Sequence, residues 1–369
     1  VTGNRPELRA LTGMRGIAAW FVVLYHIRLS IAGLPPFWLA VFAKGYLAVD
    51  FFFLLSGFVL WLSWSDRLRA DGIAAIPGFL WRRLARIWPL HGFMLACAVG
   101  LALVLAMVGK HNPGAYPFAE LPLHVLLLQN WGFTDHLAWN DPSWSISTEW
   151  AAYLLFPLLA MRIDWRRMPI PLVLAAIVTL GVLLHFGMAG AATLGSEIWT
   201  FGLRRCLIEF AIGGAVCGLW QRWSKAPARP ALIAVLLGTG AVGSIGLGIP
   251  ETLGVPLGFA ALLLALALTS DRSGNPLAGP VLHWLGEVSY ATYLGHFLLF
   301  VVFKLALVRD AHAVPPALVV LYLCLVLASS FALYHWVERP AQTAMNRLAA
   351  RRRAGSAAYA SAVSSSSAS

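Results

Sequence analysis

The sequence predicts an all-α, polytopic membrane protein with about ten transmembrane helices and both termini in the cytoplasm. Three observations lead there. Of the 369 residues, 59% are hydrophobic and only 12% are charged, about half the charged share of a soluble domain. Mean hydropathy is +0.74, carried by apolar stretches near twenty residues long that recur along the whole chain. No period-2 alternation accompanies them, so helices rather than a barrel satisfy the backbone in lipid.

In order, the expected spans are 11–31, 46–64, 87–109, 144–161, 169–188, 199–221, 231–249, 255–270, 285–308 and 316–337. The stretch "LPLHVLLLQNW", 121–131, is too short to cross and reads as an interfacial or re-entrant helix. The membrane domain is taken as 1–342. Residues 343–369 form an expected cytoplasmic tail, disordered throughout, with "GSAAYASAVSSSSAS" low in complexity. With the N-terminus inside, twenty of the 27 Lys and Arg residues fall on the cytoplasmic side, as the positive-inside rule requires of an even span count. The net charge of +11 therefore belongs to loops between spans and argues against a nucleic-acid partner. Cys97, Cys206, Cys217 and Cys324 all lie in spans, with neither a disulfide framework nor zinc-ligand spacing. The first apolar run lacks a small-residue cleavage site, so no removable signal peptide is expected.

Ionisable residues inside the spans carry the functional signal, because an unpaired charge costs several kcal/mol there. At about 1.5 Å per residue, His26, Asp50, Glu149, Arg204 and Arg205 reach similar depths in the outer half, with Glu209 a turn deeper and His296 near the middle. Pairing within one shared cavity would explain them. Each alone could be a helix-packing contact, and Arg205 with Glu209 has the spacing of an ion pair on one helix. Within "TGMRGIAAWFVVLYHI", Arg15 and His26 are eleven residues apart. That is about 20° past three full turns, so they share a face, about 16 Å apart along the axis. Arg suits phosphate and His suits proton transfer near neutral pH. An acyl-CoA, phosphates at one end and a thioester at the other, fits that ruler. Arg82, Arg83 and Arg86, in "WRRLARIWPLH", are further phosphate candidates at the cytoplasmic edge of span three, although ordinary charge anchoring is the plainer reading of them.

These stretches, "LRALTGMRGIAAWFVVLYH", "GYLAVDFFFLLSGFVL", "FLWRRLARIWPLH", "PSWSISTEWAAYLLFP", "LGEVSYATYLGH" and "VERPAQ", stand in an order that resembles the membrane-bound acyltransferase-3 family. Members O-acylate cell-surface glycans and some small molecules. The resemblance runs from about residue 7 to 342. It implies an Arg-x10-His pair, Arg15 and His26; an Arg-x-x-Arg element, Arg83 and Arg86; an acid after a Trp-Ser pair, Glu149 after Trp144 and Ser145; and a Tyr-x-x-Tyr-x-x-His run, Tyr290, Tyr293 and His296. Asp50 and Ser56 match the family's second span. Some relatives carry an added extracytoplasmic domain; this chain resembles the stand-alone form, which leaves the final transfer to the membrane domain or a separate partner.

The implied enzyme is an O-acyltransferase of the bacterial inner membrane. It moves an acyl group, most simply acetyl, from cytoplasmic acyl-CoA to a hydroxyl of an envelope polysaccharide or lipid-linked sugar, with no tightly bound cofactor and no metal. Arg15, Arg83 and Arg86 would hold the donor. His26, or His296 with it, would be general base or acyl carrier. Glu149 or Asp50 would orient the imidazole, and Arg204 or Tyr290 would stabilise the oxyanion, with Tyr293 and Trp144 also at the substrate. The outer segment 110–143, with Trp131, Asp135, His136, Trp139 and Asp141, would line the acceptor, unless its Trp residues are only an interfacial belt. Two rivals stand beside this reading: an acyltransferase for a small molecule such as a macrolide, and a secondary transporter. No internal hydropathy repeat supports the latter.

Overall fold

The computed structural model of the chain describes residues 7–188 and 190–351. Ten helices of 16 residues or more occupy the ten expected segments among the described residues: α1 Arg9–Ile27, α2 Ala48–Asp71, α3 Ile76–Met107, α4 Ser143–Arg162, α5 Ile170–Gly187, α6 Ile198–Trp223, α7 Ala228–Gly243, α8 Glu251–Leu268, α9 Ser289–Leu307 and α10 Pro316–Leu333. No strand forms among them; a lone bridge joins Ile31 to Val314. Proline opens several helices, at Pro77, Pro171 and Pro316, where its missing N–H costs nothing. Gly72 closes α2 at φ +56°, a left-handed conformation most side chains resist.

Seven segments are long and apolar enough to cross a membrane, one of them, Pro36–Met107, containing both α2 and α3. α4 and α6 fall outside that set because they carry the polar residues Ser143, Ser145, Glu149, Arg204, Arg205 and Glu209. Such helices survive when other helices, not lipid, surround them. The most apolar windows of α5, α7 and α10 are only 22%, 17% and 17% buried, and these helices form the perimeter; that of α8 is 67% buried and lies inside.

Four segments depart from expectation. α3 begins at Ile76, eleven residues before the expected edge, and runs through Pro89. Arg82, Arg83 and Arg86 are therefore helical rather than loop residues. The expected span 285–308 is broken at Val288 into a helix Pro280–Glu287 and α9. After α10 the chain makes a π-helical turn, Tyr334–Glu338, and stays helical to Arg351. The rest of the expected tail, 352–369, lies outside the described residues. The 121–131 stretch makes only a short helix, Leu121–Val125, then turns inward. Asn130 is buried there, and its backbone N–H meets Ser147 Oγ at 3.1 Å.

Two close crossings set the interior. A Cβ on Gly57 would sit 1.9 Å from Phe210 O, and one on Gly213 1.9 Å from Leu54 O. Only hydrogen fits there, and α2 and α6 touch backbone to backbone. Likewise a Cβ on Gly286 would lie 1.8 Å from Thr12 O, which seats α1 against Pro280–Glu287.

Candidate active site

α1, α2, α3, α4 and α9 enclose a cavity of ≈ 180 Å³, lined among others by Arg15, Ser56, Arg83, Arg86, Glu149 and Tyr290. Its lining carries three guanidiniums and one carboxylate, an excess that favours an anion. The broken helix positions Arg15: the carbonyl of Gly286 accepts Nη2 at 2.6 Å and Ser289 Oγ accepts Nε at 3.3 Å. The π-turn positions Arg86, whose guanidinium pairs with the buried Glu338 and lies 5.3 Å from the centre of the Tyr290 ring. Arg83 is different. Its Nε is buried with no protein partner, although such groups are normally satisfied. Glu149 takes hydrogen bonds from Ser56 Oγ at 2.5 Å and Tyr153 Oη at 2.6 Å.

His26 lines a second cavity, of ≈ 280 Å³, with Asp141, Trp144, Arg205 and Tyr293. The two cavities meet at Val49 and Tyr293, which line both. Tyr293 is held there by Ser145 Oγ at 2.8 Å and donates to Pro142 O at 3.1 Å.

Hydrogen-bond logic assigns the protons of the paired histidines. His296 Nδ1 faces Thr292 O at 3.0 Å, so it carries the hydrogen and leaves Nε2 as an acceptor. His26 Nδ1 lies 3.1 Å from that Nε2 and 2.9 Å from Val22 O. Two acceptors in front of Nδ1 require a hydrogen between them. His26 Nε2 is then the bare nitrogen, with no partner among the described residues, and it carries the lone pair a general base needs.

Several expected roles change. No carboxylate bonds to either imidazole among the described residues. Asp50 instead takes Arg205 Nε at 2.5 Å and Nη2 at 2.7 Å, and Glu149 belongs to the arginine-lined cavity. His296, Val22 and Thr292 orient His26 in their place. The expected Arg205–Glu209 pair does not form: Arg205 turns to Asp50 and Leu194 O, and both oxygens of Glu209 lack a partner. Arg204, expected at the oxyanion, lies one helical step round from the cavities and donates to Gly187 O at 2.9 Å. The Tyr290 hydroxyl is committed to Ile87 O at 2.7 Å. The shared cavity expected for all the intramembrane groups does not form: Glu149 lines one cavity, His26 and Arg205 line the other, and Asp50, Arg204, Glu209 and His296 line neither. Glu338 was the partner not foreseen; it stands in "VERPAQ", and only a π-turn aims it inward.

Asp50 and Arg205, both under 2% exposed, are structural anchors. Removing one partner strands a buried charge, at about 3–5 kcal/mol. Asp50→Asn should thus lower the thermal midpoint of the detergent-solubilised protein, read by fluorescence-detected size exclusion. An unchanged midpoint would deny the pair that role. As for metals, one group among the described residues, Glu7, His283 and Glu287, holds its ligand atoms within 4.8 Å. Its exposed edge is already occupied by a His283–Glu7 contact of 2.6 Å.

A family model described as an acyltransferase domain matches residues 8–335. The chain is 30% identical over 318 residues to Acyltransferase MdmB of Streptomyces mycarofaciens, covering 79% of each chain. It is 28% identical over 311 residues to the Exopolysaccharide production protein ExoZ of Rhizobium meliloti (strain 1021), covering 81% of this chain and 90% of that one. To Peptidoglycan O-acetyltransferase OatA of Listeria monocytogenes it is 23% identical over 323 residues, covering 80% and 49%. No solved structure matches the chain.

Proposed function

The chain belongs to the acyltransferase-3 family, and from that premise we propose that it moves an acyl group, most simply acetyl, from cytoplasmic acyl-CoA to a hydroxyl of an envelope polysaccharide or lipid-linked sugar. The ten long helices cross the inner membrane with both termini inside. The arginine-lined cavity takes the donor from the cytoplasm; the His26 cavity takes the acceptor from the other side. One observation carries this reading: an anion-favouring cavity and the cavity of a bare imidazole nitrogen adjoin across Val49 and Tyr293.

Arg15, Arg83 and Arg86 bind donor phosphates through charge-assisted hydrogen bonds. The thioester passes Tyr293 to reach His26. Nε2 of His26 takes the proton of the acceptor hydroxyl as its oxygen attacks the thioester carbonyl. The C–O bond forms, the tetrahedral intermediate collapses, and the C–S bond breaks. The departing thiolate takes the proton back from the imidazolium, so the products are an ester and free CoA thiol. His296 shares the transient charge through the Nδ1–H between the two rings.

The experiment is transfer from [acetyl-14C]acetyl-CoA in isolated membranes containing the protein. Label is expected in alkali-labile esters of the saccharide fraction, above membranes lacking the protein. Label confined to free acetate, or none above that control, would overturn the reading.

A further inference from the structure

Beside the His26 cavity lies a larger recess of ≈ 680 Å³, lined by Lys110, Tyr116, Leu137, Trp139, Asp141 and Phe297 among others. It is no separate feature. Leu137 and Asp141 line both spaces, and the Phe297 ring stands edge-on to His26 at 5.3 Å between centroids. The shared residues mark the route from the recess towards His26.

The groups along that route are unspent. The Asp141 carboxylate has no hydrogen bond or ion pair among the described residues. It lies in the loop before α4, and burial pushes its pKa up to about 6. Trp139 is 3% exposed and its indole N–H has no partner. Its φ of +64° places a bulky residue in a region that costs roughly 1–3 kcal/mol. Packing against Tyr116 and Phe118, at 5.6 and 5.1 Å between centroids, holds it there. A half-desolvated acceptor oxygen, an unpaired indole donor and flat aromatic faces suit a ligand with many hydroxyls and apolar C–H faces. A purely apolar ligand would leave both polar groups unsatisfied.

Resting on the function proposed above, we propose that this recess is the acceptor site, that it takes a sugar residue, and that Asp141 is a positioning residue. Its carboxylate accepts a hydrogen bond from the hydroxyl next to the one that attacks, and so turns the attacking hydroxyl towards His26 Nε2. Lys110 at the rim faces the solvent end of the saccharide.

The test is steady-state transfer in proteoliposomes with acetyl-CoA. The acceptor is supplied in one arm as the lipid-linked saccharide fraction extracted from the host membranes, and in the other as lipid-free polysaccharide from the same cells. The arm that responds identifies the source of the sugar. Asp141→Ala is expected to raise the half-saturating acceptor concentration at least tenfold, with the KM for acetyl-CoA changed less than twofold. Asp141→Asn, which keeps an acceptor oxygen, should restore it to within threefold of wild type. Leu137→Trp, which places a bulky ring among the residues shared by the two spaces, should abolish saturable acceptor use and leave the Kd for acetyl-CoA, read by isothermal titration, within twofold of wild type. Wild-type protein inactive in both arms would refute the acyltransfer reading itself. Wild-type activity with acceptor dependence unchanged in Asp141→Ala or Leu137→Trp would refute this proposal alone.

Discussion

Membranes carrying His26→Ala transfer acetyl from acetyl-CoA roughly 10²–10⁴-fold more slowly than wild type, the range a lost general base commands. The KM for acetyl-CoA should hardly move, since His26 lies outside the arginine-lined cavity. His296→Ala should show a smaller loss in kcat. It removes the acceptor at 3.1 Å that helps keep the hydrogen on His26 Nδ1, but Val22 O still holds that hydrogen at 2.9 Å. The base and carrier roles separate without acceptor present. A carrier releases one equivalent of CoA in a burst as an acyl-imidazole forms on His26; a base releases none, and none is expected. Undiminished transfer in His26→Ala would remove the residue from the chemistry altogether.

Arg83→Ala raises the KM for acetyl-CoA by about one to two orders of magnitude. A hydrogen bond to a charged group is worth about 1.5–3 kcal/mol, and each 1.4 kcal/mol is about tenfold. Arg83 is the cleanest of the three arginines to test. Its Nε lacks a protein partner, so removal breaks no hydrogen bond at that atom. Removing Arg86 would leave the buried Glu338 uncompensated, and removing Arg15 would take away two hydrogen bonds that seat α1 on the broken helix. The control is S-acetyl-pantetheine, which has the thioester arm without the phosphates. Its KM should change less than twofold in the same variant. Equal losses with both donors would mean that Arg83 shapes the cavity and binds no phosphate. Arg83→Lys should recover only part of the loss, because an ammonium lacks the planar fork.

How much of this was legible in the sequence follows from what helical periodicity records. It fixes height along a helix, and the ten apolar segments and the shared face of Arg15 and His26 came from that alone. It does not record which way a helix faces its neighbours. Asp50, Glu149 and His26 looked like one cluster because their heights agree. In the structure, Tyr293 divides the site, Glu149 falls on the arginine side, and Asp50 turns to α6. That turn depends on Gly57 and Gly213, two glycines unremarkable in a sequence with 33 of them. Backbone irregularities were equally hidden. The break at Val288 frees a carbonyl for Arg15, and the π-turn at Tyr334–Glu338 brings a carboxylate to Arg86. Neither Gly-Glu-Val nor His-Trp-Val-Glu announces such a feature. Arg83 and Arg86 were seen, but hydropathy put them at the edge of a span, and the helix that carries them starts eleven residues earlier.

The thin partition of Val49 and Tyr293 has an electrical consequence. In the proposed function the two cavities open to opposite faces, and most of the membrane potential would then drop across those two side chains, because water-filled recesses carry little of it. Moving one elementary charge through that field takes about 2.3 kcal/mol per 100 mV. An acetyl group carries no charge and crosses at no electrical cost. In that reading the phosphates that bring it stay with Arg15, Arg83 and Arg86, and the proton cycle of His26 opens and closes on one side. Such a septum would let an energised membrane export an acyl group without becoming a leak.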